Sequence, residues 1–219
     1  MSFLSFHGAV FFDVDGTLVP GTSSSAFLAG RLGHLRPLAA AEEGYAGGRL
    51  TNQEVSEIDA RGWAGASAAE VRGWLAELPL VVGIDETIRW CRAQGLAPFL
   101  ATLAWDPVGG YLTDRFDFEG FCGARLAVES GRYTGTVSRD FDEFGKRDYA
   151  AHQARRLGLA RHRCAAVGDS RSDLPLFTDV GLSVAFNGDA AARRAAHAVV
   201  DAPDLRAIVP TLAAWAERL

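Results

Sequence analysis

Two carboxylates stand two residues apart in Phe11-Phe12-Asp13-Val14-Asp15-Gly16-Thr17-Leu18, straight after the apolar run Ala9–Phe12. In an extended chain, side chains at i and i+2 share a face, so Asp13 and Asp15 are expected side by side. Anions that close repel unless a cation lies between them or one is protonated. Either solution makes a reaction centre. A second acidic pair, Asp169 and Asp173, lies in Val167-Gly168-Asp169-Ser170-Arg171-Ser172-Asp173, also after an apolar run and before a helical pattern. Alone, it also reads as acids favoured in the first turn of a helix. Open α/β sheets bind ligands at the carboxyl ends of their strands. Four carboxylates gathered there call for a hard cation with oxygen ligands, and Mg²⁺ fits best.

Two more groups belong to that edge. Thr102 ends the run Leu100-Ala101-Thr102, so its hydroxyl can point into the site, although a β-branched residue at a strand end is common. Lys146, in Phe144-Gly145-Lys146-Arg147-Asp148, stands near a helix N-terminus, where a cation is unfavourable. An anion held between Lys146 and the helix amides would account for it.

The elements that must position these groups follow from periodicity. Ala9–Phe12, Leu96–Ala101, Cys164–Val167 and Leu182–Phe186 are continuous apolar runs, as suits strands buried on both faces of a parallel sheet. Helical patterns separate them: Ile84, Ile88 and Cys91 before Gly95, then Ala150, Ala154 and Leu157 before Gly158, and a closing helix over Asp204–Leu219. Alternating strands and helices predict a doubly wound α/β core. Val19 to about Leu80 breaks the alternation. It has no convincing strand, and helical stretches are expected over Ser25–Leu35, Leu38–Tyr45, Asn52–Arg61 and Ala68–Leu78. At about sixty residues it is too large for a loop. A β-hairpin is expected over Ala124–Val137, around Glu129-Ser130-Gly131-Arg132.

Composition narrows the function classes. The chain has 219 residues, 48% of them hydrophobic and 22% charged, which excludes an intrinsically disordered chain. A net charge of −5 offers no basic footprint for nucleic acid. No apolar run approaches the ~18 residues of a membrane span, and Met1–Gly8 has no leader pattern, so a cytoplasmic location is the default. Cys91, Cys122 and Cys164 form an odd, scattered set. They are read as reduced, buried thiols rather than a disulfide framework or zinc site.

In order and separation, Asp-x-Asp-Gly-Thr, the strand-end Thr, the Lys and Gly-Asp-x-x-x-Asp resemble the four motifs of the haloacid dehalogenase-like hydrolase superfamily. The helical insertion and the segment Ala124–Gly135 resemble its phosphoserine phosphatase-like branch. The resemblance implies a doubly wound, mostly parallel Rossmann-like sheet with a helical cap inserted after the first strand. Residues 1–18 and 81–219 would form the core and 19–80 the cap. It also implies a Mg²⁺-dependent phosphatase acting on a small-molecule phosphomonoester. Asp13 would be the nucleophile and Asp15 the acid and base. Thr102 and Lys146 would hold the phosphoryl oxygens. Asp13, the carbonyl of Asp15, Asp169 and Asp173 would serve the metal.

The substrate residues of that branch are only partly matched. Where it usually carries a Glu for the substrate's ammonium, this chain has Thr22, and Asp59 stands where it carries an Arg for the carboxylate. Arg61 could take that place only with a register shift. A phosphoserine carboxylate would meet Asp59, so a polar, uncharged phosphate, such as a sugar or specialised-metabolite phosphate, fits Thr22, Ser23 and Ser24 better. Trp105 and Trp63 could stack on it or simply pack in the interior. The competing readings are a phosphoserine phosphatase, a phosphotransferase with an acceptor other than water, and a non-catalytic phosphate-binding or receiver module.

Overall fold

The computed structural model describes residues 6–219, with Ala46 described by its backbone alone. Residues 1–5, on which the no-leader expectation partly rests, lie outside the described residues. Seven strands form one sheet: β1 (Gly8–Phe12), β2 (Leu96–Trp105), β3 (Phe121–Glu129), β4 (Arg132–Arg139), β5 (Cys164–Gly168), β6 (Leu182–Phe186) and β7 (Ala198–Val200). Their order is β4-β3-β2-β1-β5-β6-β7. All neighbours are parallel except the β3–β4 hairpin. The fold is therefore the expected α/β class.

β1 shows why its apolar run is continuous. Val10 and Phe12 pack into one hydrophobic core, Ala9 and Phe11 into another. A strand covered by helices on both faces has no polar side. From β1 the chain builds outward through β2, β3 and β4, then returns to the other flank of β1 with β5, β6 and β7. At such a reversal of strand order the connections part, and a crevice opens at the carboxyl ends of the strands. β1 and β5 pair with Phe12 opposite Val167. This register brings Asp13, the first residue past β1, close to Asp169, the first past β5.

Between β1 and β2 lie α1 (Ser24–Leu32), α2 (Leu35–Ala46), α3 (Asn52–Gly62), α4 (Ala68–Trp74) and α5 (Ile84–Ala93). The helix expected to run to Leu35 stops earlier because Gly33 adopts φ 86° and returns its N–H to Ala29 O, a left-handed cap. α2 then begins at Leu35, ahead of the expected Leu38, since Pro37 falls in its first turn, where a missing N–H leaves no bond unmade. α3 starts as expected, on a Thr51–Glu54 capping box.

β2 runs past the expected stop at Thr102. Its pairing with β3 shifts register between Ala101 and Trp105 and then resumes, Trp105 opposite Ala124. Thr102 thus sits in an irregular stretch inside the strand. The hairpin turns on Ser130 (φ 48°) and Gly131 (φ 77°), the pair of positive φ angles that keeps strand twist. It is tied to the segment before α4 by Gly65 N–H to Tyr133 O (2.8 Å), Tyr133 N–H to Ala66 O (3.0 Å) and Ala68 N–H to Gly131 O (3.0 Å).

The other helices are α6 (Asp106–Phe116), α7 (Glu143–Arg156), α8 (Leu174–Phe177), α9 (Ala190–Ala195) and α10 (Val209–Ala216). α10 is shorter than the expected Asp204–Leu219 helix. A 3₁₀ turn covers Leu205–Ile208, and Pro210 sits in the first turn of α10, where proline is tolerated. β7 was not expected, three edge residues being too few to show a period. Among the described residues, no helix is long and apolar enough to cross a membrane. Cys91, Cys122 and Cys164 are free and buried.

Candidate active site

The Lys146 ammonium is fully buried. It lies 3.0 Å from Asp13 Oδ1 and 2.9 Å from Asp173 Oδ1, and donates to Ser172 Oγ at 3.0 Å. Burial works against its charge, but the two carboxylates outweigh burial and hold its pKa above the usual lysine value. The anions beside Lys146 in this structure are carboxylates from other elements. At the start of α7, the Gly145 N–H is already capped, donating to Asp142 Oδ1 at 2.7 Å.

Two glycines make room for the acids. At Gly168 a Cβ would fall 2.3 Å from Asp173 Oδ2. That oxygen accepts the N–H groups of Asp169 (3.0 Å) and Ser170 (3.2 Å). At Gly16, with φ 86°, a Cβ would fall 2.2 Å from Asp169 Oδ2, and Thr17 Oγ donates to Asp169 Oδ1 at 3.2 Å. Gly-Thr after the acid pair and Gly before Asp169 are thus steric and hydrogen-bonding requirements of one cluster.

Asp15 departs from the side-by-side expectation. β1 ends at Phe12, and a turn closes with the Leu18 and Val19 N–H groups both reaching Val14 O. The Asp15 carboxylate faces the start of α1, accepting from Ser24 N at 2.6 Å and Ser24 Oγ at 3.1 Å. It lies outside the carboxylate cluster formed by Asp13, Asp169 and Asp173, whose oxygens lie within 4.8 Å of one another. Its side chain is therefore not one of the gathered carboxylates that could share an ion.

Burial raises the pKa of Asp13 well above the usual range, with Asp173 adding and Lys146 opposing. Asp169 is pushed up to about 7, by burial and then by Asp173. Burial also raises Asp15, against the two Ser24 hydrogen bonds. One ammonium thus faces three clustered carboxylates. A divalent cation would relieve that imbalance, and a donor set of hard carboxylate oxygens fits Mg²⁺.

These groups open into a cavity of about 480 Å³, lined by Asp13, Asp15, Thr102, Trp105 and Lys146. Thr102 Oγ accepts from Ala104 N at 3.0 Å, which leaves its own O–H free. α3 contributes Asn52, Val55, Ser56 and Asp59, spaced along one helix face. Ser23, Glu42, Tyr45 and Arg171 also line the cavity. Sequence reasoning missed Glu42, Tyr45 and Arg171. Leu38, Glu42 and Tyr45 do repeat at i, i+4 and i+7, the signal that could have found the first two.

Three expected substrate residues separate here. Trp105 is in the wall, its indole Nε1 donating to Asp59 Oδ2 at 2.6 Å. Thr22 is exposed, outside the cavity lining, its hydroxyl 3.4 Å from Ser23 O, because it precedes the Ser23 cap of α1. Arg61 is also exposed and outside it, 3.9 Å from Glu57. It lies two residues, about half a turn, from Asp59 and so points off the opposite side of α3. Trp63 packs in the interior, fully buried and edge-on to Trp105 and Tyr133.

A family model described as haloacid dehalogenase-like hydrolase matches residues 10–178, which carry every group of the cluster. The chain belongs to the haloacid dehalogenase-like hydrolase family. Within this family its likenesses fall in the phosphoserine phosphatase-like branch. It is 29% identical over 147 residues to a phosphoserine phosphatase of Streptomyces coelicolor, covering 67% of this chain and 36% of that protein. It is 28% identical over 201 residues to one of Mycobacterium tuberculosis, covering 91% of this chain and 49% of that protein. The chain thus spans between a third and a half of the length of these curated relatives. A solved structure of a phospho-aspartyl intermediate analogue of phosphoserine phosphatase superposes with a TM-score of 0.82 at 20% identity, covering 94% of this chain and 99% of that one. At that identity the likeness is one of fold.

Proposed function

We propose that this family member is a Mg²⁺-dependent phosphomonoesterase that hydrolyses a small organic phosphate through an aspartyl-phosphate. One observation carries the proposal: Asp13 is paired with a buried ammonium while Asp15, two residues on, sits in a separate hydrogen-bonded site on the same cavity. Environments that push two carboxyl groups apart assign a nucleophile and an acid.

An Asp13 oxygen attacks phosphorus, the bond to the alcohol oxygen breaks, and Asp15 gives that oxygen its proton. Burial keeps this proton on Asp15 to a higher pH than a free carboxyl would allow. Asp15, now anionic, takes a proton from water as the water oxygen attacks the acyl phosphate. Inorganic phosphate leaves, and both acids return to their starting states. Two displacements replace one difficult one. Lys146 and the free Thr102 hydroxyl hold phosphoryl oxygens, whose charge spreads in the transition state. Mg²⁺, held by Asp13, Asp169 and the Asp15 carbonyl, would supply positive charge to those oxygens and favour the ionised form of Asp13. Both oxygens of Asp173 are already shared with Lys146 and two amides, so it supports the set. Residues 19–80 act as the cap over a core formed by the other described residues, because α2 and α3 supply the part of the cavity that would exclude water.

The substrate class is a sugar or specialised-metabolite phosphate. Of the hydroxyls invoked for it, Ser23 lines the cavity while Ser24 is committed to Asp15. A second reading, L-phosphoserine phosphatase, is favoured by the names of the relatives. Against it stands Asp59, which would oppose a substrate carboxylate. Transfer to another acceptor is separable by product analysis in added alcohol.

The test is turnover of p-nitrophenyl phosphate with Mg²⁺. Asp13→Asn should abolish it while leaving the far-ultraviolet circular dichroism unchanged. Acid-quenched wild type should carry an acyl phosphate that hydroxylamine removes, and Asp13→Asn should carry none. Steady-state turnover by the variant would reject Asp13 as nucleophile.

A further inference from the structure

The proposed hydrolysis leaves two cavity carboxylates without a task, Asp59 and Glu42. Asp59 is 2% exposed. It is held by His34 Nε2 at 2.5 Å and by the indole N–H groups of Trp63 (3.3 Å) and Trp105 (2.6 Å). Glu42 accepts from Ser23 Oγ at 3.4 Å. Among the described residues, no lysine or arginine pairs with either. The two cations of the cavity are engaged: Lys146 by Asp13 and Asp173, and Arg171 by the Tyr45 ring, its guanidinium 4.1 Å from the centroid. Burial raises the Glu42 carboxyl, and Asp15 and Asp59 add repulsion. Asp59 is thus paired with His34, and Glu42 is the carboxylate of this wall that no basic side chain meets among the described residues.

Aromatic groups accompany it. Trp105 and Tyr45 both line the cavity, and aromatic faces attract cations. A volume of about 480 Å³ lies in the range of small-molecule sites.

We propose that Asp59 and Glu42 bind a protonated amine on the alcohol half of the substrate, so that the enzyme selects aminated phosphomonoesters lacking a carboxylate, such as amino-sugar or amino-alcohol phosphates. This presupposes the phosphomonoesterase activity above and narrows its substrate class. An ammonium neutralises Glu42, which a substrate carboxylate would meet with repulsion, and a neutral hydroxyl gains less from it. Asp59 is pre-oriented by its three donors, so little ordering is needed when the ligand arrives.

The experiment compares kcat/KM at pH 7 within matched pairs, glucosamine 6-phosphate against glucose 6-phosphate and phosphoethanolamine against ethyl phosphate, with p-nitrophenyl phosphate as a general substrate. The aminated member should be preferred by tenfold or more in at least one pair. Glu42→Gln should reduce that preference by tenfold or more, mainly through KM of the aminated member, and Asp59→Asn should do the same if it folds. Glu42 is half-buried with one long hydrogen bond, so its variant keeps the test open. Equal or better use of the neutral member in both pairs overturns the inference, as does a preference that survives Glu42→Gln. If p-nitrophenyl phosphate is hydrolysed without any amine preference, only this inference falls. If no phosphomonoester is hydrolysed, it falls together with the proposed function.

Discussion

Replacing Lys146 by methionine removes an ammonium while keeping most of the side chain's length and volume. The site is fully buried, and the ammonium pairs with Asp13 at 3.0 Å and Asp173 at 2.9 Å. Breaking a buried pair from one side leaves uncompensated buried charge, which costs about 3–5 kcal/mol. At the size of this chain that is a fall of roughly 6–20 °C in Tm. The loss should depend on pH, because the abandoned carboxylates can neutralise themselves by taking protons. Asp13 is already raised by burial and by Asp173, and loss of Lys146 raises it further. A folded-state pKa above the unfolded value means the folded state holds the proton. Stability is then present at pH below the unfolded carboxyl value and declines as pH climbs through the folded one. The deficit of Lys146→Met should therefore be small at pH 5 and full at pH 8. Urea unfolding of both proteins at the two pH values, in EDTA, measures it. A deficit under about 1 kcal/mol at pH 8, or one equal at pH 5 and pH 8, would refute the view that this ammonium holds the acids together.

Gly168→Ala should cost about 2–4 kcal/mol and most of the activity, since its Cβ would lie 2.3 Å from the Asp173 carboxylate and displace charge-assisted hydrogen bonds; wild-type unfolding and turnover in this variant would show that Asp173 moves freely. Turnover should stop in excess EDTA and return with Mg²⁺, and activity that persists in the chelator removes the metal from the scheme. Burial pushes Cys91 and Cys122 up to about 12 and Cys164 up to about 11, from 9.0. Raised thiols contribute stability below the unfolded value and lose it as pH rises toward the folded one, so the fold should be weaker at pH 10 than at pH 8, by on the order of 1 kcal/mol per thiol. Urea unfolding at pH 8 and pH 10 checks this, and equal stability at the two would contradict the burial of the thiols.

The acid pairs, the lysine and the strands that end at them are local properties of the chain. A doubly covered strand must be apolar at every position, and two acids directly after such a strand have few structural explanations. Ala9–Asp15 and Cys164–Asp169 therefore revealed the sheet edge and the acids gathered at it without coordinates. Where Asp15 points, and what closes over the cavity, depended on contacts between distant segments. The turn at Val14–Val19 rotates Asp15 toward Ser24, and no i, i+2 rule foresees a turn that begins between the two acids. Thr22 and Arg61 were placed by alignment position, but one precedes a helix cap and the other lies on the outer side of α3. Glu42 carries no motif. It reaches the cavity only because α2 packs beside α3, and helix packing is settled by whole faces rather than by any single residue. A side chain's identity is written in the chain, but its neighbours are set by the summed burial of elements far apart in sequence, and for this protein those neighbours decide which side chains line the cavity.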